Sequence, residues 1–198
     1  MIEKSQKEKD RNLNIEAIII IQTMSKQSCC PQTITPTSTW LIKDRLIIGA
    51  FPDPETDYIE TILSHGVNIF ISLQTKSEYK TFRDYKPKVL KLNPQAKFMQ
   101  FEIIDRKTGS DDEMMQWMNE IVSILEQDKR TCIYLHCHGG IGRTGNMAIL
   151  LCVHYLQMSL NDSIYLLNKL YKSRQHTRSK FSIPQTKIQK LQIERLCK

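Results

Sequence analysis

Apolar and polar residues change rhythm repeatedly along this chain, and each change predicts an element. Trp40-Leu41-Ile42 and Leu46-Ile47-Ile48-Gly49 flank Lys43-Asp44-Arg45, a hairpin pattern. Pro52 to His65 carries Tyr58, Ile59, Ile62 and Leu63 on one side and meets Gly66 as a stop, so it predicts a helix. Val67 to Leu73 is a short run rich in branched residues, a buried strand. Ser77 to Tyr85 predicts a short helix ending before Pro87, and Lys97 to Ile104 alternates in part, as a strand does. Ser110 stands three residues before Glu113, a capping-box spacing, and Met114, Met118, Ile121, Val122 and Leu125 then share one helical face. Thr131 to His136 reads as a strand, and Gly145 to Leu156 is apolar nearly all round, which marks a buried central helix. Two further helices are predicted over Asn161–Lys172 and Pro184–Cys197. Strands alternating with helices predict an α/β sandwich built on a mainly parallel sheet.

Residues 1–38 break this rhythm. A run of Lys, Glu, Gln and Asp opens the chain, and a stretch rich in Ser, Thr, Pro and Gln spans Ser25 to Thr39. That composition predicts a flexible or loosely docked N-terminal arm, with residues 39–198 forming a single domain. Ile15 to Met24 fits a short helix or a strand equally well.

Composition narrows the class. The chain has 198 residues, 40% of them apolar and 25% charged, which suits one globular domain with a real core and excludes a disordered chain. No apolar run reaches the ~20 residues that cross a bilayer; Ile18-Ile19-Ile20-Ile21 is far too short and lacks a signal-peptide context. The net charge of +7 fits attraction to anionic ligands and fits plain solubility equally. No dense Lys/Arg cluster alternates with aromatics, so nucleic-acid binding is not expected. Six cysteines stand at 29, 30, 132, 137, 152 and 197 without paired Cys-x-x-Cys knuckles, which argues for reduced thiols inside a cell and against structural zinc.

The chemistry concentrates in His136-Cys137-His138-Gly139-Gly140-Ile141-Gly142-Arg143-Thr144-Gly145, between a predicted strand and a predicted helix. A Gly-rich turn there can aim successive backbone N–H groups inward as an anion nest. The following helix adds unpaired donors and its positive dipole end. Arg143 stands where loop meets helix, and its planar fork can grip two phosphate oxygens. A cysteine at the base of such a cradle sits in concentrated positive potential, which favours a nucleophilic thiolate. Thr144 is placed to donate its hydroxyl to Cys137, and His136 to brace the loop from behind.

His-Cys, five residues, then Arg-Thr-Gly resembles the signature of the protein-tyrosine phosphatase superfamily, and the short chain is similar to its dual-specificity branch. The resemblance runs over roughly residues 40–196, through Leu46-Ile47-Ile48-Gly49, Phe70-Ile71-Ser72-Leu73 and Ile183-Pro184-Gln185-Thr186 with Gln189. It implies a three-layer sandwich with a mixed, mostly parallel sheet of about five strands. It also implies Cys137 as nucleophile and Arg143 with the backbone of His138, Gly139, Gly140, Ile141 and Gly142 as the phosphate cradle. The expected general acid is Asp105, in Phe101-Glu102-Ile103-Ile104-Asp105-Arg106, although Ile rather than the usual Pro precedes it. Asp111 and Asp112 are its rivals, but acidic residues at a helix start also serve the dipole and the cap. Gln189 is placed to position the hydrolytic water. No metal or cofactor is called for, since the cradle carries the charge.

The implied substrate is a phosphoprotein, at phosphotyrosine and phosphoserine/threonine, handled by a cytoplasmic monomer, with the nucleus as the alternative location. Phosphoinositide or RNA 5′-phosphate hydrolysis is the first alternative, and a phospho-binding module without turnover the second. The module reading loses weight because Cys137, Arg143 and an Asp are all retained. Gly140-x-Gly142-x-x-Gly145 also fits a dinucleotide fingerprint with Asp162 downstream, but Asp162 opens a helix and no strands follow. His136, Cys137 and His138 cannot converge on one metal, because neighbouring strand residues face opposite ways. Cys132 and Cys152 read as core residues, with a reversible disulfide to Cys137 as the alternative.

Overall fold

The structure is a computed structural model that describes residues 33–79, 84–175 and 181–198. Expectations for Ile15–Met24 and for Cys29 and Cys30 fall outside the described residues. One sheet is formed by β1 (Thr33–Thr35), β2 (Ser38–Ile42), β3 (Leu46–Gly49), β4 (Ile69–Ser72), β5 (Lys97–Gln100) and β6 (Ile133–His136). Their order across the sheet is β1-β2-β3-β6-β4-β5. β3, β6, β4 and β5 run parallel, whereas β1–β2 and β2–β3 pair antiparallel.

Period-two alternation divides each central strand between two cores. Leu46, Ile48, Ile69, Ile71, Ile133 and Leu135 face one cluster, while Ile47, Phe70 and Tyr134 face the other. The first cluster is closed by α4 (Asp111–Gln127), α5 (Gly142–Leu150), α6 (Leu160–Lys172) and α7 (Lys187–Leu196). The second is closed by α1 (Tyr58–Ser64) and α3 (Lys86–Leu92) through Ile59, Ile62 and Val89. Helices therefore cover both faces of a mixed sheet, the α/β sandwich expected. No helix among the described residues is long and apolar enough to cross a membrane.

The sheet has six strands rather than about five. The additional strand, β1, lies in the stretch read as an arm. Thr33-Ile34-Thr35 is too short to show an alternation, yet the Thr35 and Ser38 hydroxyls bond at 2.7 Å and close a tight turn onto β2.

Pro87 has the opposite role from the one expected. It occupies the first turn of α3, where its missing N–H costs nothing, so a helix starts there. Of the helix predicted over Ser77–Tyr85, the described residues show α2 (Lys76–Tyr79). The helix predicted from Pro52 begins at Tyr58, after Asp53 has tied its carboxylate to the Glu55 N–H in a turn. The strand predicted to Ile104 ends at Gln100, which leaves Phe101–Ser110 as a connection. The central helix starts three residues earlier than predicted, at Gly142, and passes into a π-helical turn at Leu151–Tyr155.

Candidate active site

β6 delivers His136 and Cys137 from the middle of the sheet, and α5 begins at Gly142. The loop between them is therefore held at both ends by buried elements. The first N–H groups of α5 have no intrahelical acceptor, so their donors and the dipole converge where Cys137 ends the strand. Gly140 has φ +65°, and a Cβ there would stand 2.4 Å from the Gly49 carbonyl carbon. Only glycine lets the loop pass β3 so closely. Phe51 N–H donates to the His138 carbonyl at 3.0 Å and closes the same contact. His138 and Gly139 are exposed, while Gly140 through Thr144 are buried.

His136 braces the loop from behind. Burial pushes its imidazole down to about 3, so the ring is neutral. Its Nδ1 lies 3.3 Å from the Cys137 carbonyl, which can only accept, and its Nε2 lies 2.8 Å from the Tyr85 hydroxyl. Nδ1 therefore carries the proton, and Tyr85 donates to Nε2.

Arg143 is the most heavily engaged group. Its side chain is 1% exposed. Nη1 donates to Glu78 Oε2 at 2.7 Å and to the Ile103 carbonyl at 2.9 Å. Nη2 donates to Glu78 Oε1 at 2.9 Å and to Asp105 Oδ1 at 2.8 Å. Burial disfavours the Glu78 carboxylate, but hydrogen bonds from Arg143 and from the Thr75 N–H outweigh it and hold the group below its usual range. Burial likewise disfavours the guanidinium, and Glu78 reverses the balance upward. Nε remains without a partner among the described residues.

Asp105 is thus brought to the arginine, with its side chain 58% exposed. The rivals are not. Asp111 is held by Arg195 and Gln192, and hydrogen bonds from both pull its carboxyl down. Asp112 is exposed in the first turn of α4.

Two sequence-based placements come out differently. Thr144 Oγ1 is buried without any hydrogen-bond partner, so no bond joins it to Cys137. Gln189 lies against the loop, where a Cβ on Gly142 would stand 2.8 Å from its Nε2. Its Oε1, however, accepts the Gln185 and Thr186 N–H groups, and its Nε2 donates to the Lys107 carbonyl.

Sequence reading missed Glu78, Tyr85 and Arg174. Arg174 is buried and donates from Nη1 to the Gly140 carbonyl at 3.0 Å and from Nη2 to the Ile48 carbonyl at 3.3 Å. It fastens the loop to β3 and turns the Gly140 carbonyl out of the cradle. Burial lowers its guanidinium to about 10. The one available signal for Glu78 was a requirement: a buried arginine needs a carboxylate.

Cys132, Cys137, Cys152 and Cys197 are free thiols. Burial pushes Cys132 and Cys152 up to about 12, and Cys132 packs in the opposite core from Cys137. Neither is poised for exchange near neutral pH. After α5 the described residues contain only helices, which leaves the dinucleotide fingerprint without its sheet.

A strand–loop–helix anion cradle with a cysteine at its base and a carboxylate-held arginine at its end defines a cysteine-based phosphatase site. Residues 35–193 match the family model described as Swiss Army Knife protein, DSP-PTPase phosphatase domain. The chain belongs to that family. It is 30% identical over 122 residues to 197R of Invertebrate iridescent virus 6, named as a candidate tyrosine phosphatase. That match covers 60% of this chain, which spans only 42% of the length of the viral relative. Among solved structures, the active form of Tk-PTP superposes with a TM-score of 0.62 at 15% identity, covering 81% of this chain and 96% of the other. Kinase associated phosphatase superposes at 0.56 and 22% identity, covering 76% and 86%. At these identities the likeness is one of fold.

Proposed function

We propose that this chain hydrolyses phosphate monoesters of proteins, at phosphotyrosine and phosphoserine/threonine, through a phosphocysteine intermediate. The observation that carries the reading is the convergence of Cys137, the α5 N-terminus, Arg143 and Asp105.

The free protein suggests how substrate enters. In this mechanism Arg143 offers Nε and Nη2 to phosphate as a fork, and Asp105 holds Nη2 in the free protein. An incoming phosphate dianion takes that fork, and the displaced Asp105 carboxylate takes up a proton from solvent beside the leaving oxygen. The Cys137 thiolate attacks phosphorus in line, the S–P bond forms, and the P–O bond to the leaving group breaks. Asp105 gives its proton to that oxygen. In the second half Asp105 takes a proton from water, which attacks phosphorus and returns inorganic phosphate and free Cys137. The backbone donors of residues 138–142 and Arg143 carry the equatorial charge throughout.

The test is phosphate release from phosphotyrosine, phosphothreonine and phosphoinositide substrates by wild type, Cys137→Ser and Asp105→Ala. Cys137→Ser should lose activity by at least about 10³-fold, as loss of a covalent nucleophile does. Full activity in that variant would sink the reading. A higher kcat/KM on phosphoinositide than on phosphopeptide would move the substrate from protein to lipid.

A further inference from the structure

The connection that carries Asp105 is not free to swing. Asp105 sits in a β-turn closed by Lys107 N–H donating to the Ile104 carbonyl at 3.0 Å. Arg106, the third residue of that turn, has φ +61°, a left-handed conformation that costs a non-glycine residue of order 1–3 kcal/mol. Such a turn persists only where its surroundings hold it.

What holds it is the start of α7. Thr186 Oγ1 donates to the Arg106 carbonyl at 3.3 Å. Gln189 Nε2 donates to the Lys107 carbonyl at 3.2 Å. Gln192 Nε2 donates to the Gly109 carbonyl at 2.8 Å and to Asp111 Oδ1 at 2.9 Å. Both glutamines are fully buried. Three ties thus run from Thr186, Gln189 and Gln192 to the segment between the acid and α4, and a fourth runs from Gln192 to Asp111, the first residue of α4. The same helix start touches the cradle, since Gln189 crowds Gly142 and its carbonyl accepts from Asn146 Nδ2 at 3.4 Å.

We propose that Gln189 and Gln192 are positioning residues for proton transfer: they clamp the segment that carries Asp105 to the cradle, so that only its carboxyl has to move off Arg143 when substrate arrives. Resting on the phosphatase reading, this assigns Gln189 a role exerted through Asp105. The affected step is the first one, in which the bond from phosphorus to the leaving oxygen breaks as that oxygen takes the Asp105 proton. A displaced acid is felt where the leaving oxygen needs the proton most.

Gln189→Glu separates clamp from cap. It keeps an oxygen for the Gln185 and Thr186 N–H groups, a good capping-box acceptor, and removes the donor to Lys107. The kcat for phenyl phosphate, a poor leaving group, should fall about tenfold or more relative to that for p-nitrophenyl phosphate, a good one. A general loss of fold, or repulsion of all phosphates by the new charge, would change both substrates alike. Gln192→Met, which adds no charge, should shift the same ratio in the same direction. In an Asp105→Asn background neither change should alter the ratio further. Equal losses on the two substrates, no loss, or a shift that persists without Asp105 would overturn the proposal. Absence of Cys137-dependent turnover in wild type would instead overturn the phosphatase reading itself.

Discussion

Arg143 and Glu78 meet fork to fork, with Nη1 on Oε2 at 2.7 Å and Nη2 on Oε1 at 2.9 Å. The pair joins α2, which follows β4, to the first turn of α5, which follows β6. It fixes the guanidinium plane through two parallel bonds. Glu78→Gln leaves a buried guanidinium short of a counter-charge and should cost about 3 kcal/mol. The checks are chemical denaturation and the Ki of inorganic phosphate, which should rise as the fork loosens.

The same carboxylate predicts a pH dependence. Its folded-state value lies below the ordinary 4.5, so the unfolded chain binds the proton first as pH falls. The stabilisation is complete above about pH 4.5 and is lost as pH drops through the lower folded value. The melting temperature of wild type should therefore fall below pH 4.5 more steeply than that of Glu78→Gln.

His136 adds a second, earlier window. Its ordinary value of 6.5 drops to about 3 in the fold. Stability tied to the neutral ring is complete above pH 6.5 and erodes as the unfolded chain takes up the proton below it. Imidazole NMR should show His136 uncharged at pH 5. Tyr85→Phe removes the donor to Nε2 and should cost about 1–3 kcal/mol, with activity reduced less than stability.

Asp105 is the proposed acid and, in the free protein, rests on Nη2 of Arg143. Asp105→Ala should lower kcat by about 10²–10⁴-fold. It should also tighten inhibition by inorganic phosphate, because Nη2 is no longer occupied. A weaker phosphate Ki in that variant would contradict the contact seen in the free protein.

Gly140→Ala tests the cradle without touching a side chain. The added carbon would collide with the Gly49 backbone at φ +65°. The loop must then move off β3, and the Arg174 bond to the Gly140 carbonyl goes with it. Phosphate affinity should fall together with activity, which an isothermal titration with phosphate would show.

Much of this site was legible in sequence because its signals are local. The cysteine, the glycines and Arg143 lie within one strand–loop–helix unit, whose spacing follows from backbone geometry alone. Asp105 was singled out by its place after a predicted strand and by resemblance, and the fold brings it to Arg143. Elements failed where a local signal had two meanings. Pro87 reads as a stop or as a start, and only the packing of Val89 against the second core selects the start. The Thr33–Thr35 strand is too short to show an alternation, and it is held by its ladder and by hydroxyl bonds.

The sequence by itself determined the proposed nucleophile, the arginine and the alternation that puts helices on both faces of the sheet, since each depends on neighbours within a few residues. Only the tertiary structure decided that Glu78 orients Arg143 across 65 positions, that Tyr85 holds His136 across 51, and that Arg174 fastens the loop from behind. It also decided that the glutamines of α7 reach the acid turn. These partners are single polar residues without a repeat or spacing of their own. They are selected by the requirement that buried charges and buried polar groups be paired, and that requirement exists only once the chain has closed around them.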